Sequence, residues 1–278
     1  MIAILWSLFG AFAYGVSDFI GGVAARRSSP WPVAFISSVG AAITAGVLTL
    51  TSSGAPTTGE VLWAAFAGVG GGVGTAFLYR GLAAGRIGVV APISAVCAAA
   101  LPVVDSTLTG ERPPILAWIG IAAALPGIWM VSLEEGSWVG GQGVTDGFLA
   151  GLGFGVSFIG LGHVPQAAGW SPLIAMGAAS AATIYVMARI AGQRALSAQP
   201  VVFWGLAGGV LATSAMAAFI LATSRGLVSI AAVLVSLYPA FTILLAVTLL
   251  HERIRPVQRV GLAVCALAVS LVALSGRG

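Results

Sequence analysis

The sequence predicts an all-α membrane protein: ten transmembrane helices in two inverted five-helix repeats. Composition, the rhythm of apolar runs and an internal repeat predict it. Of 278 residues, 59% are hydrophobic and 7% charged, against about 25% charged in soluble domains. The charges are 12 arginines, no lysine, and 8 Asp plus Glu. Those proportions exclude a soluble globular domain and a disordered chain. Glycine fills 39 positions, about twice its usual share, as suits helices that approach closely in lipid. A net charge of +4 fits arginines in cytoplasmic loops better than a nucleic-acid surface. Cys97 and Cys265 lie inside apolar runs and make neither a disulfide framework nor a CxxC metal site.

A membrane-crossing helix needs about 20 predominantly apolar residues, and ten runs of that kind follow one another. The first, 2–25, stops at Arg26-Arg27-Ser28-Ser29-Pro30; the second, 32–50, runs into a Thr/Ser/Gly/Pro stretch closing at Glu60. The third, 61–79, precedes Arg80, and the fourth, 88–109, ends at Gly110-Glu111-Arg112-Pro113-Pro114. The fifth, 115–133, meets Glu134-Glu135-Gly136. The sixth to tenth cover 146–164, 172–190, 201–223, 228–250 and 254–274. Ala11-Phe12-Ala13 mimics a signal-peptidase site, but no basic residue precedes the run and it continues past that point, so the first span reads as retained. Trp6, Trp31, Trp63, Trp118, Trp129, Trp138, Trp170 and Trp204 all fall near span ends. They read as an interfacial aromatic belt rather than a ligand cage.

The chain repeats itself. At an offset of 141, Glu111-Arg112 meets Glu252-Arg253, Gly85 meets Gly226 and Gly120 meets Gly261. At an offset of 140, Gly15-Val16-Ser17 meets Gly155-Val156-Ser157 and Pro32 meets Pro172. The halves are 1–138 and 142–278. An odd number of spans per half inverts the second in the membrane. Arginine placement agrees: loops 1–2, 3–4, 7–8 and 9–10 hold nine (Arg26, Arg27, Arg80, Arg86, Arg189, Arg194, Arg253, Arg255, Arg259), and the other side holds Arg112, Arg225 and Arg277. The positive-inside rule puts the nine-arginine side in the cytoplasm and both termini outside. Inverted repeats place a site at the bilayer midplane and give alternating access by rocking. No GxxxxGK[ST] loop is present, which disfavours ATP-driven transport.

Leu237-Tyr238-Pro239-Ala240-Phe241, then Leu249-Leu250-His251-Glu252-Arg253 and Gly261, resembles the closing repeat of EamA-type permeases of the drug/metabolite transporter superfamily. Thr109-Gly110-Glu111-Arg112 followed by Gly120 is the counterpart in the first half. His251 departs from the glycine more common there. The resemblance implies ten helices in two inverted repeats. It also implies a central cavity lined mainly by the first, third, fourth, sixth, eighth and ninth spans. Members export amino acids, other metabolites or drugs, generally without ATP.

Asp18, in Tyr14-Gly15-Val16-Ser17-Asp18, is an acid inside the first span. A charge there is costly unless it faces a cavity or a partner. Proton coupling or capture of a substrate amine is one reading, and pairing with Arg26 at the interface is the other. Its repeat counterpart is Phe158, so the acid is not a shared folding requirement. Asp105 reads as a helix-end partner of Arg112. Glu111 and Glu252 read as structural carboxylates at helix starts. His163, near the end of the sixth span, is either a titrating cavity residue or a hydrogen-bonded interfacial one. Tyr14, Tyr79 and Tyr238 are cavity candidates by resemblance and interfacial otherwise. Ser17, Ser94, Ser157 and Ser236 bond either a ligand or a neighbouring carbonyl. Gly68, Gly70, Gly71, Gly72 and Gly74 read as a close-packing face, and Pro92 and Pro239 as gating kinks.

The reading is a secondary exporter of small organic solutes in a bacterial-type cytoplasmic membrane. A lipid or lipid-linked-sugar translocator on the same fold is the alternative. An intramembrane enzyme lacks a paired constellation, since the two histidines stand 88 positions apart, at His163 and His251. The partners expected are a small-molecule substrate and the lipid bilayer, with no nucleic acid, cofactor or metal. A monomer is the working assumption.

Overall fold

A computed structural model describes residues 1–51, 54–84, 87–132, 141–196, 200–249 and 255–275. The helices are α1 (Ile2–Arg27), α2 (Pro30–Thr49), α3 (Thr58–Ala83), α4 (Ile87–Leu108), α5 (Ile115–Ser132) and α6 (Gly141–Gly162). They continue as α7 (Ser171–Ile190), α8 (Pro200–Thr223), α9 (Val228–Val235), α10 (Tyr238–Leu249) and α11 (Pro256–Ser275). Among the described residues there is no strand. Local chemistry marks the starts. Pro30 sits at the first position of α2, where its missing N–H costs nothing. Thr57 and Glu60 close a capping box on α3, satisfying two otherwise orphaned donors.

Six helices are long and apolar enough to cross a membrane, namely α1, α2, α3, α6, α7 and α8, and shorter apolar helices complete the chain. The chain is an integral multi-pass membrane protein. At 1.5 Å per residue, the 26 residues of α1 extend about 39 Å, enough for a hydrocarbon core of about 30 Å. The ninth apolar run, read as one span over 228–250, is broken. The N–H of Leu237 turns back to Leu234 at 3.3 Å, and that of Ala240 bonds Leu237 at 2.9 Å. Pro239 has no N–H, so the Val235 carbonyl lacks its usual donor four residues on. Pro92 differs: α4 runs through it without interruption.

The most extensive pairings join a helix before residue 133 to one after residue 140: α3 with α6, α1 with α8, α2 with α8, α3 with α7, α2 with α7, α4 with α6 and α5 with α11. Exchanging α1 with α6, α2 with α7 and α3 with α8 leaves the first four of these pairings unchanged as a set. The glycine run of α3 makes two such contacts at once. Gly68 and Gly72 face α7, while Gly70 and Gly74 face α6. A Cβ at Gly70 would stand 2.7 Å from the Gly153 carbonyl oxygen of α6. Trp31 is buried, in the core cluster that also holds Val33 and Leu78. Trp138 lies outside the described residues.

The two ends of the bundle carry polar ties between the halves. Arg80, at the end of α3, donates from Nε (3.1 Å) and Nη2 to Oδ1 of the buried Asp146 on α6, and its guanidinium covers the Phe77 ring. At the other end, Glu111 caps a helix of the opposite half. Its carboxylate accepts from the N–H groups of Val228 (2.6 Å) and Ser229 (3.1 Å) and from the Ser229 hydroxyl (2.6 Å), at the start of α9. Gly110, at φ +108°, turns the chain so that Glu111 points there. Asp105, expected to pair with Arg112, makes no such pair among the described residues. Glu252 and Arg253 lie outside them.

Two stability predictions follow from these contacts. A Cβ at Gly72 would fall 2.8 Å from the Ser180 carbonyl oxygen and 2.9 Å from Thr183 Cβ, so Gly72→Leu should destabilise by about 1–3 kcal/mol or more through overpacking. Gly46 on α2, with nothing within 4 Å of its position, is the control. Thermal unfolding in detergent should separate the two variants, and equal midpoints would show that the α3–α7 contact is not tight. Glu111→Ala should cost about 1–3 kcal/mol, as the loss of a cap and of bonds to a charged acceptor. An unchanged melting midpoint for Glu111→Ala would remove the tie.

Candidate functional site

Between the halves lies a cavity of about 60 Å³. Typical ligand pockets hold about 300–1,000 Å³, so this space is small, fit for a few waters. Residues of α1, α2, α3, α6, α7, α8 and α10 line it. The resemblance implied the fourth span in place of the second and seventh. The difference comes from small residues: Ser38 of α2 and Ser180 of α7 share a 2.9 Å hydrogen bond across the middle of the bundle. Gly177 admits the Ala42 backbone beside them, so these two helices close one wall.

Glycines also bring the tyrosines in. Gly15 leaves room for α10, whose Tyr238 carbonyl oxygen would stand 2.8 Å from a Cβ there, so the first residue of α10 borders the cavity. Thr242 strengthens this crossing by donating to the Gly15 carbonyl at 3.1 Å. Gly21 gives the Tyr79 hydroxyl its space, and Tyr79 lines the cavity together with Ser17 and Ser37. Ser17 itself donates to the Gly208 carbonyl of α8 at 3.0 Å.

Asp18 faces this cavity. Among the described residues no ion pair reaches it, so the pairing with Arg26 is not formed. Tyr14, Tyr79 and Tyr238 line the same cavity. Phe158, the counterpart of Asp18 in the repeat, also lines it and meets the Tyr14 ring edge-on at 6.4 Å between centroids. The matched triplets around Gly15 and Gly155 therefore deliver a carboxylate from one half and an aromatic ring from the other.

Of the candidates drawn from the sequence, Tyr14, Ser17, Asp18, Tyr79, Ser157 and Tyr238 line one space. Ser94 does not. It is buried on α4 and shares a 3.3 Å hydrogen bond with the Tyr238 hydroxyl, so it holds a lining residue from behind. His163 does not either. It stands exposed at the end of α6, stacked on Trp63 with centroids 4.1 Å apart, its Nδ1 2.9 Å from the Ile159 carbonyl. There it borders a separate surface groove with Glu60 and Gln166. Pro239 sits just past the break in the ninth run, next to the lining Tyr238. Ser236, at the break, is buried with its hydroxyl unpartnered.

Sequence reasoning missed Ser37, Ser38, Thr75 and Ser180, along with Met176 and Met216, all of which line the cavity. Their signal was faint: short polar side chains inside apolar spans satisfy a helix carbonyl as readily as a ligand. Among the described residues no cluster of His, Cys, Asp and Glu is arranged to hold a metal ion.

The family model described as the EamA-like transporter family matches the chain twice, over residues 1–133 and 142–274. A solved crystal structure of a protein shares 16% identity with the chain, covers 98% of it and 96% of its own length, and superposes with a TM-score of 0.75. At that identity the likeness concerns the fold. No curated protein matches the chain.

Proposed function

Since the chain belongs to the EamA-like transporter family, we propose that it is a secondary exporter of small organic solutes, working by alternating access around the central cavity. Ten crossing helices in two inverted halves, 1–138 and 142–278, carry the movement in a bacterial-type cytoplasmic membrane. Both termini face outward and the nine-arginine side faces the cytoplasm. The observation that carries this reading is the position of the cavity: it lies where the halves meet, so their relative motion opens and closes it.

Related packing supports the inverted repeat. Gly15 receives Phe241 of the ninth apolar run, and Gly155 receives Leu101 of the fourth. The double family match has the same period. The small cavity is an occluded stage, with Arg80–Asp146 closing one end and Glu111 on α9 tying the other. The break at Ser236 and Leu237, beside Pro239, is the flexible point through which α10 swings Tyr238 out of the cavity.

Asp18 is the coupling residue. A lone carboxylate inside a membrane bundle is costly when charged and unpaired. It therefore binds a proton or a cationic partner in each stage of the cycle, and exchanging one for the other links transport to the proton gradient.

Accessibility labelling tests the architecture without a known substrate. With Cys97 and Cys265 replaced by alanine, Arg26→Cys and Arg189→Cys should react with an impermeant thiol reagent from one side only, and Ser157→Cys from both. A Ser157→Cys that reacts from a single side in every condition overturns alternating access. The coupling role has its own test in proteoliposomes with a trapped pH dye, challenged with amino acids, amines and drugs. Asp18→Asn should purify as the parent does yet lose solute-driven proton flux by tenfold or more. Flux equal to the parent's would leave Asp18 outside the coupling step.

A further inference from the structure

We infer that the cavity selects a singly charged organic cation with an aromatic or bulky apolar body. This deepens the transport reading above and rests on it. Three features of the lining carry it.

The first is the charge inventory. Asp18 is the one carboxylate among the described lining residues, and no arginine or histidine stands among them. A charge taken out of water needs a partner of opposite sign. One carboxylate neutralises one ammonium. The carboxylate of a zwitterionic amino acid would enter with no guanidinium or imidazolium to meet it, and an anion would add its charge to that of Asp18.

The second is the direction of the hydrogen bonds. An ammonium brings only donors and seeks acceptors. Ser17 has already given its proton to the Gly208 carbonyl, so its oxygen is left to accept. Ser38 and Ser180 spend one proton on each other. These hydroxyls suit a donor-rich ligand better than an acceptor-rich one.

The third is the asymmetry between the halves. The first half contributes Tyr14, Ser17, Asp18, Ser37, Ser38, Thr75 and Tyr79, a polar wall. The second adds Phe154, Phe158, Met176 and Met216, beside its own Ser157, Ser180 and Tyr238. Phe158 occupies the place that Asp18 holds in the other repeat, so one structural position supplies the charge and its counterpart the apolar contact. Aromatic faces attract cations, and the two methionines adapt to bodies of differing shape.

Four ligands with one body and four heads separate these possibilities: phenethylamine (cation), phenylalanine (zwitterion), 2-phenylethanol (neutral) and 3-phenylpropionate (anion). Binding is read on the purified full chain by calorimetry, and movement by exchange of labelled ligand across proteoliposomes. Phenethylamine should bind at least tenfold more tightly than each of the other three. Asp18→Asn should bring it down to the level of 2-phenylethanol. Phe158→Ala should weaken phenethylamine and the alcohol alike, keeping the preference for charge. Size exclusion and unliganded melting check that the variants fold, and the ranking of the four ligands on the parent protein stands independently of them.

Phenylalanine or 3-phenylpropionate binding as tightly as phenethylamine overturns the inference. So does absence of phenethylamine binding, or binding by a folded Asp18→Asn within twofold of the parent. Binding that depends on Asp18 without any exchange in proteoliposomes keeps the cation site and overturns transport. Exchange of phenylalanine without phenethylamine does the reverse.

Discussion

Close approach of helix backbones is the constraint on which the rest of the structure depends. Lipid tails are as apolar as leucine, so helices in a bilayer gain little by hiding apolar side chains from lipid and must gain by contact instead. Here contact is obtained by removing side chains. Gly153 of α6 meets the Gly70 and Gly74 backbones of α3, and Gly209 of α8 meets Ser37, Gly40 and Ala41 of α2. A methyl group at these sites would overlap backbone atoms, which cannot rotate away. These glycines set which helices are neighbours, and at these sites the neighbours come from opposite halves.

The cavity is what such packing leaves over. Glycine seams hold the surrounding helices at close range, and short hydroxyl side chains knit them. Ser17 reaches the Gly208 carbonyl and Thr213 the Ala41 carbonyl, both at 3.0 Å. Such bonds satisfy the polar groups of a helix crossing without demanding volume. A space lined by serines and tyrosines results, and one half adds a carboxylate where the other adds a phenyl ring. At one matched position the two halves therefore differ in chemistry, Asp18 against Phe158.

The ends of the bundle obey a different rule, because water and charge are near. Asp146 is buried and holds the half-exposed Arg80, while Glu111 lends its carboxylate to the otherwise unsatisfied N–H groups at the start of α9. Both ties cross between halves, as the glycine seams do. From the sequence the duplicated Glu-Arg pair reads as a local helix-start device. In the structure Glu111 serves a helix more than a hundred residues further along the chain.

Composition and periodicity alone determined that this chain is helical and membrane-embedded, since runs of about 20 apolar residues have no other stable place. Self-comparison found the repeat, and the matched triplets around Gly15 and Gly155 located the central residues of α1 and α6. The cost of burying a charge singled out Asp18 before any contact was known. Only the tertiary structure decided the rest. Which hydroxyls line the cavity depends on which face of α2 and α7 turns inward, and helices that are apolar all round carry no periodic signal of their facing. Ser94 and His163 fell outside the site for that reason: each lies on an apolar helix beside a lining residue or at its end, and sequence spacing does not measure depth. The break at Ser236 and Leu237 required knowing that the helix gives way before Pro239 yet continues through Pro92, which packing decides. Glu111 found its helix in the other half because a partner distant in sequence becomes near only once the halves have interleaved.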